Sequence, residues 1–181
     1  MEELASDYGT SKIALLEYYV SSDYIIDAIA ERWNDYGLRY TPTVCFNGLS
    51  NWSLTDDYDG YKKKVDSERA EDSSIDITAT MTTSDNTLSL QIEVLNNSEA
   101  TLYDLTMWVA IYEDMGATHK HNVVRALESR ADPVTGLAPG EIDQWQTNLE
   151  LPDSDLANVE AVVFLQDSDR DVLQAGVATS T

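Results

Sequence analysis

The chain has 181 residues, 43% of them hydrophobic, with ten tyrosines and a formal net charge of −22. That is enough apolar material for one large or two small folded units, which excludes a disordered chain. A field this negative repels phosphate backbones and anionic lipid, so neither nucleic acid nor a membrane surface is an expected partner.

The hydrophobic pattern changes character along the chain. Residues 12–20 form a nearly continuous apolar run, read as a strand covered on both faces. Ser21, Ser22 and Asp23 offer helix caps, and Ile26, Ile29, Trp33 and Tyr36 follow at helical spacing before Gly37. Thr41-Pro42-Thr43 opens a short strand over 41–46, and Asn47-Gly48 signals a hairpin turn. Thr55 or Asp56 is placed to cap a last helix, with Tyr58, Tyr61 and Val65 inward and Lys62-Lys63-Lys64 in water. After Glu71-Asp72-Ser73-Ser74 the period becomes two. Strands are expected over 75–81, 88–94, 105–112, 121–127, 144–151, 159–166 and 172–177, separated by Asn-, Asp-, Pro- and Gly-bearing turns. Seven short strands of this kind predict an antiparallel, immunoglobulin-like sandwich, although the Cys…Trp…Cys spacing of antibody domains is missing. Residues 73–181 carry 18 acidic and 4 basic residues, so most of the acidity belongs to the sandwich.

The stretch Y-G-L-R-Y-T-P-T-V-C-F-N-G at 36–48 resembles the second half of a thioredoxin fold, in which a proline, usually cis, opens the strand facing the redox site. The phrases H-N-V-V-R-A-L at 121–127, V-E-A-V-V-F-L-Q-D at 159–167 and V-L-Q-A at 172–175 are similar to the sandwich of Omp28-related envelope proteins. Those proteins place a thioredoxin-like domain before a β-sandwich. The resemblance implies an α+β chain of two domains: an incomplete thioredoxin-like α/β module at 1–72, then an all-β immunoglobulin-like sandwich at 73–181. It also implies an extracellular or cell-envelope location. No signal peptide begins at Met1, and no apolar run is long enough for a transmembrane segment.

Cys45 is the only cysteine, so these residues contain neither a Cys-x-x-Cys pair nor an intrachain disulfide. The strand, active-site turn and helix start that would hold the dithiol are also missing. That leaves a gap expected between strands 12–20 and 41–46. Three outcomes are open: the chain is a fragment, its remaining strands close up, or a strand from another copy or another protein fills the gap.

Other candidate sites each have a plain structural alternative. Cys45 reads as a small packed hydrophobe rather than a nucleophile. Thr41, Pro42 and Thr43 form a turn able to face an extended peptide. His119 and His121 share one strand face but lack an evident third ligand. Asp167, Asp169 and Asp171 alternate as in a calcium loop, and Asp56-Asp57-Tyr58-Asp59-Gly60 is a weaker version. Neither run has the closing glutamate of an EF-hand, and Arg170 interrupts the first, which favours a polar hairpin turn. Asn51-Trp52-Ser53 and Asn96-Asn97-Ser98 fit the N-glycosylation pattern. The expected function is therefore non-catalytic: an envelope or extracellular protein acting through a protein partner or a homo-oligomer, without a cofactor. The alternatives are a piece of a thiol–disulfide oxidoreductase whose Cys-x-x-Cys lies upstream, or a cation-dependent adhesion module.

Overall fold

A computed structural model of the chain describes residues 2–9, 12–20, 24–54, 57–116, 121–131, 136–151 and 154–181. Three short helices precede the long strands: α1 (Glu2–Tyr8), α2 (Asp27–Asp35) and α3 (Tyr58–Arg69). Between α2 and α3 lies a small ladder of β1 (Val44–Cys45) and β2 (Trp52–Ser53). The strands that follow are β3 (Ile75–Ser84), β4 (Thr87–Asn96), β5 (Thr106–Glu113), β6 (Val123–Ala131), β7 (Ile142–Glu150), β8 (Val159–Gln166), β9 (Val172–Val177) and β10 (Thr179–Ser180). They form two four-stranded sheets, β10-β3-β4-β7 and β6-β5-β8-β9.

The alternation in β3 and β4 points Ile75, Ala79, Met81, Leu88, Leu90, Ile92 and Val94 inward. They meet Met107, Val109, Ile111, Ala161, Val163 and Leu165 from the facing sheet, and these residues are all buried. The period-two pattern predicts an antiparallel sandwich of seven strands; the protein is predominantly β, and the two sheets hold eight described strands, the eighth being β10, which pairs parallel with β3. β5 and β8 behave differently. Both faces of these strands are covered, so Ala110, Tyr112, Val162 and Phe164 are buried on the side away from the main core. Their near-continuous apolar sequence is the signature of a strand with two packed faces, and it announces a third layer.

That layer is supplied by the first third of the chain. Ile29 of α2 is 1% exposed and packs with Ala110, Tyr112, Val124, Val162 and Phe164, while Leu16, Tyr18, Val20 and Ile26 pack around them. Burying a side chain like Ile29 contributes about 2 kcal/mol. The run 12–20 is therefore not a strand of a separate sheet, contrary to the sequence reading. It lies extended along β6, with Glu17 in a parallel bridge to Val123. Glu17 donates its N–H to the Asn122 carbonyl at 2.9 Å and accepts from the Val124 N–H at 3.0 Å. The physical reason is the second apolar face of β5 and β8, on which Leu16, Tyr18 and Val20 pack, partly buried. The expected gap between 12–20 and 41–46 is absent, because the two segments have different neighbours.

The remaining helices make a smaller cluster. Leu4 and Val65 are buried, and Phe46 packs on Tyr61 with ring centroids 5.9 Å apart. Asp57 caps α3 by accepting from the Gly60 N–H, while the predicted caps Thr55 and Asp56 lie outside the described residues. Ser21, Ser22 and Asp23 also lie outside them. α2 starts at Asp27 with no side-chain cap, and Asp27 itself places an acid in its first turn. Two of the lysines read as solvated have partners: Lys62 pairs with Asp66 at 2.7 Å, and Lys64 donates to Asn51 at 3.0 Å. β10 had no apolar pattern to reveal it.

Candidate functional site

The acidic run 167–171 forms the turn between β8 and β9 and is where the N-terminal layer meets the sandwich. Asp167 folds its carboxylate back over the turn, accepting from the Asp169 and Asp171 N–H groups, both at 3.0 Å. Arg170 occupies a left-handed backbone conformation at φ 70°. Its guanidinium reaches out of the turn to Asp35 at the end of α2, with bonds of 2.9 and 2.8 Å. Arg170 therefore holds the Asp35 carboxyl below its ordinary range.

Asp171 turns the other way. Its carboxylate accepts from the Ser50 N–H at 3.0 Å and the Ser50 hydroxyl at 2.5 Å. Here the Asn47-Gly48 turn packs directly on the hairpin. Gly48 bridges Asp171, the Val172 N–H donates to the Asn47 carbonyl at 2.7 Å, and the Leu49 N–H donates to the Arg170 carbonyl at 3.3 Å. Gly48 sits at φ 114°, and a Cβ there would lie 2.2 Å from the Arg170 carbonyl oxygen. Only glycine permits this approach.

Behind the hairpin lies a polar knot. Gln166, 3% exposed, donates to the Tyr36 hydroxyl and to the Arg170 carbonyl, each at 2.6 Å. Arg32 stacks over Tyr36 and Trp108, 4.5 Å from each centroid, and 5.3 Å from that of Phe164. It donates to the Tyr36 hydroxyl at 2.5 Å and to Gln166 Oε1 at 3.4 Å. Burial pushes the Tyr36 hydroxyl up, with Arg32 pulling the other way. The stacked guanidinium lets a cation cover an apolar surface without losing all its partners.

The predicted site residues thus separate. Asp167 and Asp171 have carboxylates committed to backbone amides and Ser50, and Asp169 is exposed at the tip. Among the described residues no group of three or more His, Cys, Asp or Glu side chains is arranged to hold a metal ion. Thr41 and Pro42 are exposed and joined by a cis peptide, while the Thr43 hydroxyl donates to the Tyr40 carbonyl at 2.6 Å. Nearby in sequence Tyr40, Trp52 and Leu54 are also exposed. Cys45 is half-buried opposite Trp52, and burial raises its thiol pKa despite the opposing pull of Arg32. A thiol held protonated is a poor nucleophile.

His119 lies outside the described residues. His121 Nδ1 is 2.9 Å from Asp114 Oδ1, and the Asp114 carboxyl is lowered first by the Gly116 N–H and then by His121. Asn96 is fully buried, donating to the Ala100 and Leu137 carbonyls at 2.9 Å and accepting from Ser98. Its glycosylation-like triplet is a structural hub. Asn51 is engaged by Glu68 and Lys64. A small concavity lined by residues including Val94, Leu105, Met107 and Leu165 has room for about one water.

No protein-family model matches the chain, and no curated protein does. Among solved structures the chain is similar in fold to HBP35 of Porphyromonas gingivalis, with 11% identity and a TM-score of 0.58. The match covers 72% of this chain and 50% of that one, so this chain spans half the length of that structure. A domain of the outer membrane lipoprotein Omp28 from Porphyromonas gingivalis matches at 18% identity and a TM-score of 0.45, covering 60% of this chain and 89% of that one. β-Glucosidase 3B from Thermotoga neapolitana, in complex with glucose, matches at 18% identity and a TM-score of 0.37, covering 58% and 15%. At such identities the likeness is one of fold, and HBP35 carries it. Residues 73–181 are 109 of the 181, about three fifths of the chain. A match over 72% therefore extends beyond the sandwich into the N-terminal layer.

Sequence reasoning found the hairpin but missed what it touches. Arg32, Tyr36 and Gln166 carried a faint signal, since Arg32 and Tyr36 are one helical turn apart on the expected inner face. Ser50 carried none. No described helix is long and apolar enough to cross a membrane.

Proposed function

We propose that this chain is a non-catalytic protein of the cell envelope or extracellular space that works by contact with other proteins. In this reading residues 1–72 are a thioredoxin-like element converted to a cover, and residues 73–181 are an immunoglobulin-like sandwich. The observation that carries it is the interlock at 166–171. Asp171, Arg170 and Gln166 bond to Ser50, Asp35 and Tyr36 across the two parts, while Asp167 closes its own turn. Two further facts support the reading. The fold shared with HBP35 reaches past the sandwich, and the three phrases that resemble Omp28-related proteins fall on β6, β8 and β9 of one sheet.

The test has two arms. Insulin reduction by the purified chain is expected to match the uncatalysed rate, and measurable turnover would overturn the non-catalytic reading. Fractionation of producing cells is expected to place the protein in the envelope or medium. Recovery in the cytoplasm would overturn that location.

A further inference from the structure

The four outer edges of the two sheets are not equally protected. β6 is bridged by Glu17 at its start, carries Arg125, Glu128 and Arg130, and faces a register shift at Ile111/Tyr112 of β5. β9 begins under Gly48 and lies against β3, where Gln174 donates to the Ile75 carbonyl at 3.0 Å and Gly176 touches Ile77. β10 is only two residues long. β7 is nine residues long and, among the described residues, pairs with β4 alone.

The geometry shows which backbone groups β7 leaves open. Ser84 and Thr87 flank a two-residue turn and form a hydrogen-bonded pair, so Leu88, Leu90, Ile92 and Val94 direct their backbone groups at β7. Their partners Leu149, Thr147, Trp145 and Asp143 are thereby used. The bonds from Leu151 N–H to Asn86 and from Asn96 N–H to Glu141 continue the same alternation. Ile142, Gln144, Gln146, Asn148 and Glu150 therefore point their N–H and C=O groups away from the sheet. Such a row is a template for another strand. The side chains at the seam brace β7 without covering it: Arg130 pairs with Asp143 and lies over Trp145, and Thr147 donates to Glu128.

The residue order along β7 selects the occupant. Laid antiparallel on itself about Gln146, the strand sets Gln146 against the partner's Gln146, Gln144 against the partner's Asn148, and Ile142 against the partner's Glu150. On the inner side Trp145 meets the partner's Thr147 and Asp143 meets the partner's Leu149. No carboxylate opposes a carboxylate, although the chain is strongly acidic, and Ile142, 52% exposed, gains a neighbour. We propose that two copies of this chain pair antiparallel through β7, centred on Gln146, to make one continuous sheet across the dimer. This does not depend on the envelope reading.

Sedimentation of the full chain at high micromolar concentration is expected to show a dimer that tightens as salt rises, because screening relieves repulsion between two acidic bodies. Gln146→Pro removes an outward N–H and spares the β4 ladder, so it should weaken association by roughly tenfold or more with the fold kept. Gln146→Lys gives a second variant: it sets two ammonium groups opposite each other only in the self-pair and should have the same effect. In a Cys45→Ser background, Gln146→Cys should cross-link on oxidation, since directly paired Cα atoms lie about 5.5 Å apart. Gln144→Cys should not, because it faces residue 148. A monomer at every concentration overturns the proposal. So do equal cross-linking at 144 and 146, a dimer that survives both Gln146 variants, and a chain that takes up only a foreign strand.

Discussion

The sandwich and its N-terminal cover are built on different terms. The sandwich closes on itself: its main core contains residues from both sheets and none from residues 1–72. The cover has no comparable interior. Ile29 packs down on Tyr112, Val124, Val162 and Phe164 of the sandwich, and a polar knot fastens the cover's edge. One part is a fold, and the other is a surface that becomes ordered by having somewhere to lie. The difference predicts a sandwich that persists when the cover loosens, and a cover that fails when the sandwich does.

The sharpest way to break that asymmetry is inside the main core. Ile111→Ala empties a fully buried site and should cost about 2–5 kcal/mol, lowering the melting of both parts together. A cover that keeps its protection after the sandwich has melted, followed by hydrogen exchange, would show that the cover has stability of its own. Gly48→Ala comes next. A methyl group at this φ, pressed on the Arg170 carbonyl, should cost about 2 kcal/mol or more in docking. Exchange should rise across 12–20 and α2 while the amides of β4 stay protected.

Alkaline pH gives a gentler probe. Burial pushes Tyr18 up to about 12. Its neutral form is thus favoured in the folded state, so its contribution is complete below the ordinary tyrosine value of about 10. It is lost as pH rises from there toward the folded value. The cover should loosen over that interval, read by tyrosine absorbance alongside exchange, and Tyr18→Phe should flatten the change. The smallest effect is expected from calcium. With Asp167 and Asp171 already accepting bonds, millimolar calcium should leave the melting temperature unmoved, and a rise of several degrees would restore the cation-binding reading of the hairpin.

Period and turn chemistry made the sandwich readable. Leu88, Leu90, Ile92 and Val94 alternate cleanly because one face meets a core and the other meets water. The helices were legible for a similar reason, with Ile26 and Ile29 at helical spacing. The place of residues 12–20 was not legible. An apolar run states that it will be buried on several sides but not by what, and the face that covers it is assembled from strands β5, β6 and β8, far later in the chain. The same limit hid the role of the acidic hairpin. Asp167-Ser168-Asp169-Arg170-Asp171 reads as a chelating loop or as a turn until Ser50 and Asp35 are seen beside it, and nothing local encodes those partners. Cys45 reads as a small packed residue, and the structure leaves it half-buried opposite Trp52.

The stacking of Arg32 on Trp108 and Phe164 has a consequence for the order in which the protein is made. A ribosome delivers α2 long before β8, so the helix emerges with no floor to lie on. Its apolar side and its guanidinium must wait in water, or with a chaperone, until β5 and then β8 have been synthesised. α2 is thus made well before the strands it rests on and settles only after them, and synthesis that stops before β8 leaves it without that floor.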